Sequence, residues 1–94
     1  MSVLVEDNPA RRRFEILVDG SLAGFAAYEL RQDAVVFTHT EVDPSFHGKG
    51  IGGALARAAL DQVRERGERV VASCEFIAAY IDKHPQYAEL LISA

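Results

Sequence analysis

The fold turns on the stretch Thr40-Glu41-Val42-Asp43-Pro44-Ser45-Phe46-His47-Gly48-Lys49-Gly50-Ile51-Gly52-Gly53-Ala54-Leu55. Its first residues close a β-rich run, Ala34 to Val42, that also holds Val35, Val36, Phe37 and Thr38. Pro44 ends that strand, because proline cannot donate to a ladder. Ser45 to Gly50 is expected to be a loop. From Ile51 the period changes. Ile51, Leu55, Ala59 and Val63 recur four apart, with Ala54 and Ala58 beside them. Arg57, Asp61, Arg64 and Glu65 fall on the other side. This is an amphipathic helix, and Gly67 stands where a helix commonly ends. The order is therefore strand, glycine-rich loop, helix.

That order suits an anion. The first N–H groups of a helix have no partner within it, and the helix dipole favours negative charge there. Gly48, Gly50, Gly52 and Gly53 keep side chains out of the way, and Lys49 adds a positive charge. Each glycine costs roughly 0.5–1 kcal/mol in regular structure, so such a cluster needs a functional reason. The loop reads as a pyrophosphate cradle. A nucleoside triphosphate loop needs Ser or Thr after Gly-Lys; here Gly48-Lys49 runs into Gly50-Ile51. A dinucleotide fingerprint matches literally as Gly48-x-Gly50-x-x-Gly53, with Glu75 about 20 residues on. Against it, Asp43 to His47 separate the glycines from the strand, and the preceding strands read as antiparallel. The chain is also too short for two nucleotide-binding halves.

Working outward, Phe14, Ile16 and Val18 alternate with Glu15, Leu17 and Asp19, which predicts a strand. Asp19-Gly20 is a hairpin turn. Leu22 to Leu30 is the returning strand, with Leu22, Gly24, Ala26, Tyr28 and Leu30 expected on one face. Arg31-Gln32-Asp33 turns the chain into the Ala34 run, giving a meander of three antiparallel strands. Glu6 to Arg13, with Pro9 and the triplet Arg11-Arg12-Arg13, reads as a solvated lead-in. After the helix, Arg69 to Cys74 is a short buried strand. A right-handed crossover places it parallel to the strand before the helix. Glu75 to His84 is helical and stops at Pro85, which can also open a last helix, Gln86 to Ile92. The fold class is α+β: a mixed, mainly antiparallel sheet with a βαβ crossover and C-terminal helices, in one domain, 1–94.

The 94 residues carry a net charge of -4, with an isoelectric point near 5.2. An acidic chain has no general electrostatic reason to bind nucleic acid. No apolar run reaches the ~18 residues of a membrane span, and Met1 to Asp7 lack a signal-peptide pattern. The lone Cys74 fits a reducing compartment, so the expectation is a soluble, cytoplasmic protein. His39 and His84 have no spaced partners, and no metal site is expected. Composition does not set the oligomeric state.

The residues His47-Gly48-Lys49-Gly50-Ile51-Gly52 resemble the acetyl-CoA signature of the GCN5-related N-acetyltransferase superfamily, with His47 where Gln or Arg is usual. A closer resemblance is to its very short single-domain branch. It rests on His39-Thr40-Glu41-Val42, Cys74-Glu75-Phe76, Tyr80-Ile81 and His84-Pro85-Gln86-Tyr87. Glu75 stands where Pro is common. The resemblance implies a truncated form of that fold, with acetyl-CoA between two parallel strands that splay apart. It implies backbone contacts to the pantetheine arm around Glu41 and Val42. Pyrophosphate contacts are implied from His47, Gly48, Lys49, Gly50, Ile51, Gly52 and Gly53, with Cys74 near the cofactor. The acceptor site is then open or completed by a partner.

Acetyl transfer to an amine needs a neutral amine, a polarised thioester and a proton for the departing thiolate. Glu41 is the candidate base. Tyr80 is the candidate acid, as a tyrosine on the equivalent helix often is in the superfamily. Cys74 falls between a strand end and a helix start, where a thiolate is favoured and could carry the acetyl group itself. The expected activity is acetyl-CoA-dependent N-acetyl transfer to a protein or small-molecule amine. The other reading is a non-catalytic acyl-CoA-binding or sensing module.

Overall fold

The computed structural model describes residues 2–32 and 34–93. Five strands form one sheet in the order of the chain. They are β1 (Val3–Asn8), β2 (Arg13–Val18), β3 (Ser21–Arg31), β4 (Ala34–Val42) and β5 (Arg69–Ala72). The first four are antiparallel and β5 lies parallel to β4. Helix α1 (Ile51–Glu65) makes the crossover, and α2 (Glu75–Lys83) follows β5. The α+β class and the crossover are as the sequence predicts. No helix among the described residues is long and apolar enough to cross a membrane.

The N-terminal lead-in is a strand. Val3–Asn8 pairs along the whole of β2, so the meander has four strands, not three. A turn through Pro9–Arg12, with Arg12 at φ 53°, joins them. Arg11 and Arg12 are exposed, but Arg13 belongs to β2. Its guanidinium bonds Glu15 at 2.7 Å and lies 4.5 Å over the Phe25 ring. The Asp19-Gly20 hairpin is as expected: both residues have positive φ, as a type I′ turn requires.

The predicted face of β3 is corrected by a bulge. Ile16 pairs with Gly24 and Leu17 with Leu22, which leaves Ala23 as the extra residue. A one-residue slip moves side chains to the other face. Ala23 enters the core, and Leu22 turns outward with Leu17. Leu30 is exposed near the strand end. A second bulge lies in β4, where Tyr28 pairs with Phe37 and Ala27 with His39, leaving Thr38 extra. In the predicted turn Arg31-Gln32-Asp33, Gln32 has φ 54°, and Asp33 lies outside the described residues.

One face of the sheet is covered. Phe14, Ile16, Ala26, Val35 and Phe37 meet Leu55, Ala56, Ala59, Leu60 and Val63 of α1 in one cluster. Ala56 and Leu60 extend the apolar face beyond the four-apart series. Helix α2 packs beside α1 through Ile77 and Ile81. The last segment is a 3-10 helix, Pro85–Leu90, rather than the expected α-helix from Gln86 to Ile92. Leu91 then makes a single parallel bridge to Val70. β5 stops at Ala72, short of Cys74.

Two tyrosines bond aspartates, Tyr28 joining β3 to β1 and Tyr87 joining the last turns to α1. Tyr28 Oη donates to Asp7 at 2.5 Å, and Arg66, just past α1, reaches the same carboxylate at 2.8 Å. Tyr87 Oη donates to Asp61 at 2.6 Å. Burial, then the aspartate partner, raises both phenol pKa values, that of Tyr87 to about 12. The unfolded chain ionises these tyrosines first, near pH 10. Their contribution is therefore whole below pH 10 and is lost as pH climbs toward 12. Denaturant unfolding at stepped pH should show this decline, and Tyr87→Phe should flatten it. Tyr28→Phe should cost about 1 kcal/mol, read at neutral pH, because Asp7 keeps its Arg66 partner.

Candidate functional site

The site opens where two strands part. β4 and β5 pair from Ala34 and Arg69 to Phe37 and Ala72. β5 then ends, while β4 continues through the Thr38 bulge to Val42. Backbone groups of a strand point alternately to its two sides. Beyond Phe37, those on the β5 side therefore face a gap. Asp43 leads out of the strand, its N–H donating to Ala23 O at 2.7 Å. Its carboxylate accepts from the Ser45 hydroxyl at 2.6 Å and the Ser45 amide at 2.9 Å. Those bonds lower the Asp43 pKa. A 3-10 turn, Pro44–Phe46, occupies part of the predicted loop.

Gly48 and Gly50 both take positive φ, at 79° and 71°, so the chain reverses tightly into α1. Gly50 is the N-cap and supplies no side-chain cap. The first bond into the helix is Ala54 N–H to Gly50 O at 3.1 Å. The amides of Ile51, Gly52 and Gly53 precede it and have no intrahelical acceptor. They border a hollow of about 380 Å³ lined by Thr40, Val42, His47, Gly48, Gly50 and Phe76, among others. Thus an uncapped helix start faces the unpaired edge of β4 across an open space. Such a start attracts an anion.

The glycines divide into two kinds. Gly48 and Gly50 have open space where a Cβ would be. Gly52 does not: a Cβ there would lie 2.9 Å from Phe76 Cζ and 3.6 Å from Val42 Cγ2. Gly53 would meet Tyr80 at 4.0 Å. Gly52 lets α2 approach α1 through Phe76, a packing role beside ligand access, whereas a methyl at Gly53 would sit in ordinary contact with Tyr80. Phe76 is a site residue the sequence reading missed. It stood in the quoted Cys74-Glu75-Phe76 motif, an aromatic one helical turn before Tyr80, and α2 lays it against Gly52 of the preceding helix.

The predicted residues fall into three groups. Val42, His47, Gly48, Gly50, Ile51, Gly52 and Gly53 line the hollow together. Lys49 is exposed, its Nζ 5.8 Å from the Phe46 ring centre. Cys74 sits at the N-cap of α2, 6% exposed, with Sγ 3.2 Å from Thr40 Oγ1. That contact spans the gap from β4 to α2. Thr40 is a second missed residue, although it stood within the quoted His39–Val42 motif.

Glu41 points to the opposite face of the sheet, as strand alternation requires. It bonds His39 Nε2 at 2.8 Å and lines a second hollow with Leu22, Gly24, Phe25 and Asp43. Tyr80 lies between α1 and α2, its ring stacked on His84 at 4.0 Å. Burial raises its pKa, so the phenol keeps its proton at neutral pH. His84 Nδ1 lies 2.8 Å from Tyr80 O. Among the described residues, no group of three or more His, Cys, Asp or Glu could hold a metal.

Comparisons with known proteins agree with this fold. Residues 13–90 match the family described as GCN5-related N-acetyl-transferase. Protein NATD1 of Xenopus tropicalis is 35% identical, over 96% of this chain and 86% of its own. Streptothricin acetyltransferase of Streptomyces lavendulae is 44% identical over 64 residues, which is 66% of this chain and 34% of that enzyme. A GCN5-like putative N-acetyltransferase from Staphylococcus aureus shares the fold, with a TM-score of 0.71 at 20% identity, covering 97% of this chain and 89% of that one. The ribosomal-protein-S18-alanine N-acetyltransferase of Escherichia coli gives a TM-score of 0.57 at 27% identity. The match covers 63% of this chain and only 40% of that enzyme.

Gly52 separates packing from ligand access. With CoA as the probe of this hollow, Gly52→Ala should weaken any binding several-fold, because Phe76 must shift to admit the methyl. Phe76→Ala in the same chain should restore much of that loss. Isothermal titration of both variants measures it; equal losses with and without Phe76 would assign Gly52 to direct ligand contact alone.

Proposed function

Because this chain belongs to the GCN5-related N-acetyltransferase family, we propose that it moves an acetyl group from acetyl-CoA to an amine. The single observation that carries this is the uncapped start of α1 set against the open edge of β4. The pyrophosphate rests on the amides of Ile51, Gly52 and Gly53, with the Gly48–Gly50 turn and Lys49 beside it. The pantetheine arm, which has peptide-like amides, adds to the free side of β4 near Val42 as an extra strand would. Its thioester then lies beside the Thr40–Cys74 contact, in the hollow that Thr40 lines.

Glu41 takes the proton of the acceptor amine. The amine nitrogen attacks the thioester carbonyl, the C–N bond forms and the C–S bond breaks. Tyr80, kept protonated, supplies the proton to the departing thiolate. Transfer is direct. The Cys74 side chain is buried, and its Sγ lies against the Thr40 hydroxyl rather than open to the hollow. Cys74 therefore acts as a neighbour of the thioester.

Calorimetry with CoA, followed by a CoA-release assay over a panel of amines, tests the reading. Expected are binding below millimolar cofactor and release that depends on the amine. Binding without such release would identify an acyl-CoA sensor instead. Glu41→Gln should lower turnover about 10²-fold or more. Cys74→Ser should keep turnover within a few-fold of the parent, with no labile acetyl adduct by intact mass. Abolished turnover together with an adduct on the parent would establish the covalent route.

A further inference from the structure

β4 and β5 stop pairing at Phe37 and Ala72, yet the two chains meet once more, through side chains. Thr40 Oγ1 on β4 and Cys74 Sγ at the N-cap of α2 lie 3.2 Å apart. Thr40 lines the hollow at the start of α1, on the same face of the strand as Val42. Cys74 stands behind it, buried in one cluster with Phe37, Leu55 and Ile77. Side chains packed at that density leave no room for an added carbon. Thr40 is β-branched and stiff about χ1, and its hydroxyl is held by Cys74. It cannot swing aside without giving up that contact.

We propose that the Thr40–Cys74 contact is a gate on acyl length, closing the inner end of the hollow to groups longer than acetyl. This rests on the acetyl-transfer reading and names the acyl donors it admits. A pantetheine arm added to β4 runs from the start of α1 past Val42 toward Thr40. Whatever follows its sulfur is therefore directed at the contact. Acetyl places a single methyl group there. Each further methylene has to displace Thr40, part it from Cys74 or enter the core behind them. The hollow is walled by Val42, Phe46, Ile51 and Phe76, and in an apolar pocket one methylene is worth about 10–200-fold in discrimination.

Calorimetry with acetyl-, propionyl- and butyryl-CoA, with no amine present, reads the gate without turnover. In the parent chain each added carbon should weaken binding about ten-fold. Thr40→Ala removes the obstructing branches, and Cys74→Ala frees Thr40 to rotate. Each should narrow the acetyl-to-butyryl ratio of affinities by about ten-fold or more. The ratio is taken within one protein, so a general loss of affinity cancels. Val42→Ala widens the hollow away from the contact and should leave the ratio at its parent value. Equal affinity for the three donors in the parent overturns the gate, whatever the variants do. So does a ratio unmoved in both Thr40→Ala and Cys74→Ala, or moved as far by Val42→Ala. Repeating the series in the CoA-release assay keeps the gate apart from the transfer reading. Graded binding with no amine-dependent release sustains the gate and sinks the transfer. Amine-dependent release at equal rates from all three donors does the reverse, and failure of all three to bind overturns both.

Discussion

The architecture depends on the place where β5 stops and β4 goes on. A parallel pair of strands normally satisfies its backbone by continuing. Here pairing ends at Phe37 and Ala72, and the two strands leave the ladder at once. Thr38 adds a bulge at the next residue of β4, which turns the strand further from its old partner. The backbone left unpaired is not abandoned. It looks across a gap at the uncapped start of α1, another set of unpaired groups. Two deficits of hydrogen bonding share one space, and a ligand with both amides and phosphates answers both. The Thr40–Cys74 contact limits how far the gap can open at its inner end.

The helices hold that gap in register. α1 must start at its rim, so the chain needs a sharp reversal after β4, and Gly48 and Gly50 supply the positive φ values for it. α2 must start at the other rim, so it has to lie close to α1. Gly52 makes that approach possible, because a side chain there would collide with Phe76. The same short run of sequence therefore serves ligand access and helix packing. Further along, Tyr87 on Asp61 and Arg66 on Asp7 fix the far end of α1 to the last turns and to the edge strand.

Much of this was legible in the residues. Periodicity of two marked β2, and the shift to a four-residue spacing marked α1, because each pattern places apolar side chains on one buried face. The hairpin at Asp19-Gly20 and the stop at Pro44 followed from backbone chemistry alone. β1 was not legible. It is an edge strand whose residues are mostly exposed or half-buried, so burial imposes no alternation on Val3–Asn8, and Pro9 and the arginines follow at once. The face of Leu22 was hidden for a different reason. A bulge inserts a residue without changing composition, and only Gly24, whose Cβ would lie 2.5 Å from Glu41 O, hinted at a close backbone approach. The loop residues of the site were readable because their glycines are costly. Phe76 and Thr40 were not, since their roles arise from a helix and a strand brought together in space.

The two faces of β4 divide the work of the site. Thr40 and Val42 look toward the helices and the hollow at the start of α1, while His39 and Glu41 look toward the bare face. The helix start and Lys49 favour an anion on one side, while on the other Glu15 is paired with Arg13 and Glu41 bonds His39. The β1–β2 connection is a short turn through Pro9–Arg12, which adds no element over the bare face. The strand alternation that makes a sheet two-sided thus places Thr40 on the hollow at the start of α1 and Glu41 on a separate one between β3 and β4.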